Sequence, residues 1–183
     1  MRMRRLGRAS RGHIQRGGVI AYPTESCFGL GCDPLHPQGL KAILRLKGRP
    51  QRKGMIVVAA SLDQVRPLLR PLSQADEARL MQYWPGPYTF LLPAACRVLP
   101  LLRGKHPTLA VRVTAHPATL ALCRSLGPLV STSANRSGKP SIRDARNCRR
   151  QFGTGVQVIP GRVGRARKPS TIIDFASGRI LRG

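Results

Sequence analysis

The sequence predicts an α/β (α+β) domain with a twisted, mixed parallel and antiparallel sheet surrounded by helices. Short apolar runs alternate with amphipathic segments along the chain, a pattern typical of this class. Several connections between apolar runs are too short for a crossover helix, so some neighbouring strands must be antiparallel. The 183 residues contain no internal repeat and no Pro/Gly/Ser-rich linker, which predicts one domain over 1–183.

The first third of the chain predicts two helices, each followed by a strand. A short helix over 6–15 ends at paired glycines, which tolerate the positive φ of a helix C-terminus. The short apolar run 19–22 predicts a buried strand, and the proline that follows it ends the strand. Residues 37–47 place four aliphatic side chains on one helical face and cations on the other, and 55–60 is again a buried strand.

The next predicted helix, over 72–84, carries its own start signal. Ser73 is a favourable N-cap, and Asp76 or Glu77 in the first turn suits the helix dipole. The remaining predicted elements are strands 88–92 and 109–114, helix 116–126, a strand ending at 128–130, helix 143–152, strands 156–159 and 171–175, and a hairpin return at 179–181.

The charge of the chain indicates an anionic partner. The formal net charge is +25, and no Asp or Glu occurs between Glu77 and Asp144. A field of this sign attracts nucleotide phosphates or RNA. Arg heavily outnumbers Lys, which a GC-rich coding bias could also produce, so charge alone does not name the partner.

The cysteines and histidines indicate neither a disulfide framework nor a metal site. Five cysteines form no CxxC pair, and the four histidines show no HExxH or zinc-knuckle spacing. Reduced thiols fit an intracellular protein. Because we find neither a signal peptide nor an apolar run long enough to span a membrane, we expect a cytoplasmic protein.

The most informative stretch is 131–135, Ser-Thr-Ser-Ala-Asn, which directly follows a short apolar strand. In an extended backbone Ser131, Ser133 and Asn135 share one face. Small polar side chains at a strand end suit a polar ligand better than a core, although an ordinary Ser/Asn turn is the alternative.

Cations occur at two further positions that suit an anionic ligand. Arg112 is central in an otherwise apolar strand, where it must reach solvent or bind an anion. Lys47 and Arg49 flank one glycine at a helix end and could clamp a polyphosphate, with Lys53 extending the cluster. The alternatives are an arginine on a solvated face and a generic helix cap.

The segment 22–33 ends a buried strand, which is where ligands tend to bind in α/β sheets. Gly29 and Gly31 would permit close backbone approach, but neither a complete dinucleotide fingerprint nor a P-loop is present. Cys27 lies here without a histidine in a recognisable partner position, which favours a packing role over catalysis.

Taken together, six segments resemble the YrdC-like family, in family order over about residues 17–183. The segments are Ala21-Tyr22-Pro23-Thr24-Glu25, the Lys47-x-Arg49 pair, Trp84-Pro85-Gly86-Pro87, Leu109-Ala110-Val111-Arg112-Val113, Ser131-Thr132-Ser133-Ala134-Asn135, and Pro169-Ser170-Thr171-Ile172-Ile173-Asp174. The resemblance is to threonylcarbamoyl-AMP synthases of the short bacterial type. It implies a mixed sheet with a concave, basic cavity. It also implies the conversion of L-threonine, bicarbonate and ATP into threonylcarbamoyl-AMP and pyrophosphate, for threonylcarbamoyladenosine formation at position 37 of tRNA.

The resemblance also implies roles for individual residues. Lys47, Arg49 and Arg112 would be catalytic. The threonine site would consist of Thr24, Arg112, Ser131 and Ser170. The ATP site would consist of Lys47, Arg49, Lys53, Thr108, Ser133, Asn135, Arg143 and Arg182.

Some positions depart from the family pattern. Ser26 and Cys27 replace small or β-branched residues, Lys53 replaces an Asn, and Val58 stands where longer relatives can carry a threonine-contacting His. No carboxylate pair stands out as a cage for Mg²⁺, so we expect this ion to be held mainly by phosphates.

Two other functions are compatible with the sequence. A non-catalytic protein could bind tRNA or double-stranded RNA on the same basic surface, although only eight aromatic rings are present for base stacking. A carbamoyl-adenylate synthase like the hydrogenase-maturation relatives is the third reading, but their zinc-finger-like cysteines are missing here. For the synthase, we expect a downstream tRNA threonylcarbamoyltransferase complex to take the product.

Overall fold

The computed structural model describes the backbone of residues 2–183 and the side chains from residue 9 onward. The helices are α1 (Arg2–Gln15), α2 (Pro37–Lys47), α3 (Leu62–Val65), α4 (Gln74–Met81), α5 (Pro100–Arg103), α6 (Pro117–Leu126) and α7 (Ala145–Phe152). The strands are β1 (Val19–Pro23), β2 (Phe28–Gly31), β3 (Ile56–Ala59), β4 (Tyr88–Pro93), β5 (Thr108–Val113), β6 (Leu129–Ser133), β7 (Val156–Val158), β8 (Thr171–Asp174) and β9 (Ile180–Arg182).

Within the described residues, the strands form one mixed sheet in the order β7-β1-β2-β6-β3-β5-β4-β8-β9. The pairs β1–β7, β3–β5 and β4–β8 are parallel, and the other neighbours are antiparallel. The predicted fold class is therefore confirmed. The short links that excluded crossover helices include the one between β8 and β9, which pair antiparallel.

The sheet has two differently covered faces. One face packs against the main apolar core, which contains Val57, Phe90 and Val111. On the other face, α1 and α6 cover a smaller cluster that includes Val58 and Leu129. Further along that second face, residues of β3, β5 and β6 form the floor of a cavity.

The capping residues recognised in the sequence define the end of α2 and the start of α4. Helix α2 has the predicted bounds and ends at Gly48, whose φ of 57° is left-handed. Helix α4 begins with a reciprocal capping box between Ser73 and Asp76. The prediction of 72–84 was too long at both ends.

Other predicted elements needed correction. Helix α7 begins at Ala145 instead of Arg143, because Asp144 is its N-cap and accepts a hydrogen bond from the Asn147 amide. Strand β2 was not predicted, since its sequence Phe-Gly-Leu-Gly alternates apolar residues with glycines, which are depleted in strands. The short helices α3 and α5 were also missed.

Candidate active site

A cavity of about 510 Å³ lies over the open part of the second sheet face. Strand periodicity builds its floor. Leu129 is buried beneath α6, and Ser131 and Ser133, two and four residues further along the same face, line the cavity. On β5 the alternate residues Thr108, Ala110 and Arg112 line it in the same way.

The cavity wall is strongly basic. Among the described residues, no Asp or Glu lines it, whereas six arginines and one lysine do. These are Arg49, Lys53, Arg103, Arg112, Arg143, Arg167 and Arg182. Serine and threonine hydroxyls alternate with these cations, so the wall offers charged and neutral hydrogen-bond donors to a polyanion.

Arg112 forms an ion pair with an acidic residue outside the cavity lining. The Arg112 side chain is 8% exposed, and its Nη2 atom lies 3.1 Å from Glu25 Oε2. Glu25 Oε1 accepts a hydrogen bond of 2.7 Å from the Thr114 hydroxyl. A cation buried this deeply requires a partner, and the Glu25 carboxylate supplies it.

Arg49 and Arg182 are anchored by backbone carbonyls. Arg49 donates from Nε and Nη2 to the Gly54 oxygen at 3.1 and 2.9 Å. Arg182 donates from the same two atoms to the Ser170 oxygen at 3.2 and 2.8 Å. Burial lowers the pKa of Arg182, and the nearby Arg112 and Arg49 guanidinium groups lower it further. The three cations therefore share one electrostatic environment.

Lys47 does not line the cavity, although the sequence placed it in the site. Its ammonium lies behind the end of β6 and donates to the Ser133 oxygen, to Asn135 O at 3.0 Å and to Asn135 Oδ1 at 2.9 Å. Burial, followed by repulsion from Arg49, lowers the Lys47 pKa to about 8. Asn135 is likewise outside the cavity lining and accepts a hydrogen bond of 2.7 Å from the Ser133 hydroxyl. Lys47 thus fastens the polar segment whose hydroxyls face the cavity.

The loop after β1 closes one side of the cavity. The Thr24 hydroxyl donates to the Cys27 carbonyl at 2.8 Å, and both residues line the wall. The chain around residues 164–167 crosses this loop, because Gly164 N donates to Thr24 O and Ala166 N to Glu25 O at 2.9 and 3.1 Å. This crossing places Arg167 on the cavity wall.

Ten of the twelve candidate residues from the sequence line the cavity, all except Lys47 and Asn135. Sequence reasoning missed three cationic or titratable residues of the wall, Arg103, His106 and Arg167. Each lies in or next to a loop without a strong motif, so nothing but proximity in the fold identifies it. Val58, the substituted position of β3, is fully buried beneath α6.

The donor set does not suit a protein-held metal ion. Among the described residues, no group of three or more His, Cys, Asp or Glu side chains could hold one. Mg²⁺ prefers carboxylate, phosphate and water oxygens, and the described cavity wall offers no carboxylate. The wall instead suits the phosphates that such an ion accompanies.

Comparisons with known proteins identify the relationship. The model of the Sua5/YciO/YrdC family, described as "Telomere recombination", matches residues 13–183. The chain belongs to this family. The family resemblance drawn from the six motifs is therefore confirmed.

Individual members of the Sua5/YciO/YrdC family are closely similar. The chain is 65% identical to the threonylcarbamoyl-AMP synthase of Laribacter hongkongensis, covering 96% of this chain and 95% of the relative. It is 58% identical to the threonylcarbamoyl-AMP synthase of Chromobacterium violaceum, covering 97% and 93%. The crystal structure of P. abyssi Sua5 complexed with L-threonine superposes with a TM-score of 0.82 at 34% identity over 92% of this chain. The chain spans half the length of that Sua5 protein, at 50%.

These comparisons bear on the other expectations as well. None of the relatives described above is named as an RNA-binding protein without catalysis, and that alternative gains no support. In the part of the chain that the structure describes, no helix has both the length and the apolar character to cross a membrane.

Proposed function

We propose that this protein is an L-threonylcarbamoyladenylate synthase, a nucleotidyltransferase that uses L-threonine, bicarbonate and ATP. The observation that carries the proposal is the cavity itself, in which seven cations and several hydroxyls converge without a carboxylate on the described wall. The names of the most similar relatives and the L-threonine complex of P. abyssi Sua5 support the same activity.

The chemistry requires three anionic groups to be held together. The threonine amine reacts with bicarbonate to give a carbamate and water. A carbamate oxygen then attacks the α-phosphorus of ATP, and pyrophosphate leaves. Positioning of this kind contributes several kcal/mol to catalysis, and the site needs cations more than it needs a strong base.

Different walls of the cavity suit different parts of the substrates. We assign the threonine carboxylate to Arg112, with Thr24, Ser131 and Ser170 around the amino acid. The triphosphate belongs near Arg49 and the remaining ATP-site residues that line the cavity, which are Lys53, Thr108, Ser133, Arg143 and Arg182. Arg49 and Arg182 are already fixed by backbone carbonyls, so binding costs little side-chain entropy.

Lys47 and Asn135 act in this proposal by holding the end of β6. Their hydrogen bonds fix the backbone that presents the Ser131 and Ser133 hydroxyls to the cavity. Mg²⁺ enters as part of the ATP complex, because the described wall contains no carboxylate for it.

The adenylate product must be consumed by a further reaction. A threonylcarbamoyl adenylate is a mixed anhydride, so a transferase must move its acyl group to an amine. We propose that a tRNA threonylcarbamoyltransferase complex in the cytoplasm does so at adenosine 37 of tRNA.

The test is pyrophosphate release together with mass spectrometry of the product from isotopically labelled threonine, bicarbonate and ATP. We expect release to require both threonine and bicarbonate, and the product to contain carbon from both. The variant Arg49→Ala should lower kcat/KM by at least about 100-fold, because it removes a charge from the cavity. Arg45→Ala removes the same charge from the exposed face of α2 and serves as the matched control. Release that is independent of threonine would refute the proposal.

A further inference from the structure

Among the charged groups around the cavity, Glu25 is unusual because it is acidic and does not line the wall. Its side chain is 18% exposed and contacts two residues of β5 that are two positions apart. One carboxylate oxygen pairs with Arg112 and the other accepts from Thr114. The carboxylate therefore joins the loop after β1 to a strand that lies four places away in the sheet.

The anchoring of Arg112 differs from that of the other two central arginines. Arg49 and Arg182 each donate at least two hydrogen bonds to a backbone carbonyl. Among the described residues, the contact with Glu25 is the polar partner found for the Arg112 guanidinium, and its buried Nε has no hydrogen-bond acceptor. The direction of this guanidinium therefore depends on one side chain.

Glu25 is poorly placed to touch a substrate. Its Oε2 atom is buried, and its Oε1 atom accepts the hydrogen bond from Thr114. A carboxylate used in this way acts through the residue that it holds.

We propose that Glu25 is a positioning residue that orients Arg112 toward the carboxylate of the amino-acid substrate. This inference rests on the proposed function, in which Arg112 pairs with that carboxylate. Arg112 lines the cavity while its Nη2 is paired with Glu25, and the negative charge of Glu25 offsets repulsion from Arg49 and Arg182.

The test is the kinetic effect of Glu25→Gln, which keeps the shape of the side chain but removes its negative charge and so abolishes the ion pair with Arg112. We expect the threonine KM to rise about 10-fold, because the buried ion pair that directs Arg112 is lost, and the ATP KM to change by less than about twofold. Glu77→Gln is the matched control, because Glu77 also pairs with an arginine but lies on α4, away from the cavity. It should leave both KM values unchanged.

A double-mutant cycle separates positioning from general support of the fold. In an Arg112→Gln background, the Glu25→Gln change should raise the threonine KM by less than about twofold more. An additive effect, or an equal rise in both KM values, would overturn the inference. If Glu25→Gln does not fold, Glu25→Asp retains the charge and should raise the threonine KM alone, by a smaller factor. An unchanged threonine KM in that folded variant would also overturn it.

The activity of the wild-type protein distinguishes a failure of the proposed function from a failure of the role of Glu25. Wild-type pyrophosphate release without threonine dependence contradicts the proposed function. Threonine-dependent wild-type activity combined with a normal threonine KM in Glu25→Gln contradicts this inference alone.

Discussion

Replacing Lys47 by methionine tests whether this residue fastens the β6 end instead of touching ATP. Lys47 is 3% exposed, and its ammonium donates to two backbone carbonyls and to the Asn135 side chain. Methionine has a similar length and keeps the apolar packing of the stem, but it removes all three hydrogen bonds. The Ser133 and Asn135 carbonyls would then lack this donor.

The expected change in stability is small because two terms of similar size oppose each other. Among the described residues, the Ser133 carbonyl still accepts from the Asn135 amide at 3.0 Å, so only the Asn135 carbonyl loses its donor, at a cost of about 1–3 kcal/mol. The variant also avoids burying a charge. The fall in the Lys47 pKa from 10.5 to about 8 corresponds to about 3 kcal/mol for that burial. The two terms agree to within about 1–2 kcal/mol, so we expect the Tm of the variant to stay within a few degrees of the wild type.

The expected loss of activity is large even though the change in the free energy of unfolding is small. A displacement of about 1 Å in a positioning segment can lower the rate about 100-fold, and the β6 end carries Ser131 and Ser133. Because the proposed function places Ser131 in the threonine site and Ser133 in the ATP site, we expect both KM values to rise together. A lysine that contacts phosphate directly would affect the ATP KM alone.

The assay is pyrophosphate release at varied ATP and threonine, combined with thermal unfolding. Lys41→Met makes the same chemical change on the exposed face of α2 and should behave as the wild type. A rise confined to the ATP KM would refute the fastening role, and so would a Lys47→Met variant with normal kcat/KM.

Three further predictions follow from the structure. Between pH 8 and 10.5 the unfolded chain binds more protons at Lys47 than the folded protein does. The free energy of unfolding of the wild type should therefore rise with pH relative to Lys47→Met, by up to about 3 kcal/mol in urea titrations; a constant difference would contradict the lowered pKa. A Cβ on Gly31 would lie 2.5 Å from the Val130 oxygen, so Gly31→Ala should destabilise the protein by about 1–3 kcal/mol, whereas Gly155→Ala, in open space, should cost little; equal Tm values would show that the sheet relaxes. Cys27 is half-buried in the cavity wall, so ATP should slow its alkylation, measured by mass spectrometry of its peptide; an unchanged rate would place ATP elsewhere.

Several features of the fold and the site were accessible from the sequence because they depend on local chemistry. The end of α2 follows from a glycine, and the start of α4 follows from a serine and an aspartate three residues apart. The alternation of β5 assigned Arg112 to the face that forms the cavity floor. The family motifs located most of the wall in the same way, since each motif is contiguous.

Other features could not be predicted because they join distant parts of the chain. Strand β2 forms from a glycine-rich segment because its neighbours β1 and β6 supply hydrogen bonds on both sides. Gly29 leaves room there, since a Cβ would lie 3.3 Å from Thr24 and 3.5 Å from Ser131. Arg103, His106 and Arg167 reach the cavity only through the course of their loops.

The sequence by itself determined the fold class, the positions of the well-capped helices, the net charge and the residue types that meet a polyanion. Only the tertiary structure decided which cations line one cavity. Lys47 is separated from Asn135 by 88 positions, and Thr114 from Glu25 by 89. Patterns along the chain report the preferences of neighbouring residues, whereas the burial and partner of a charge depend on which distant segments the sheet brings together.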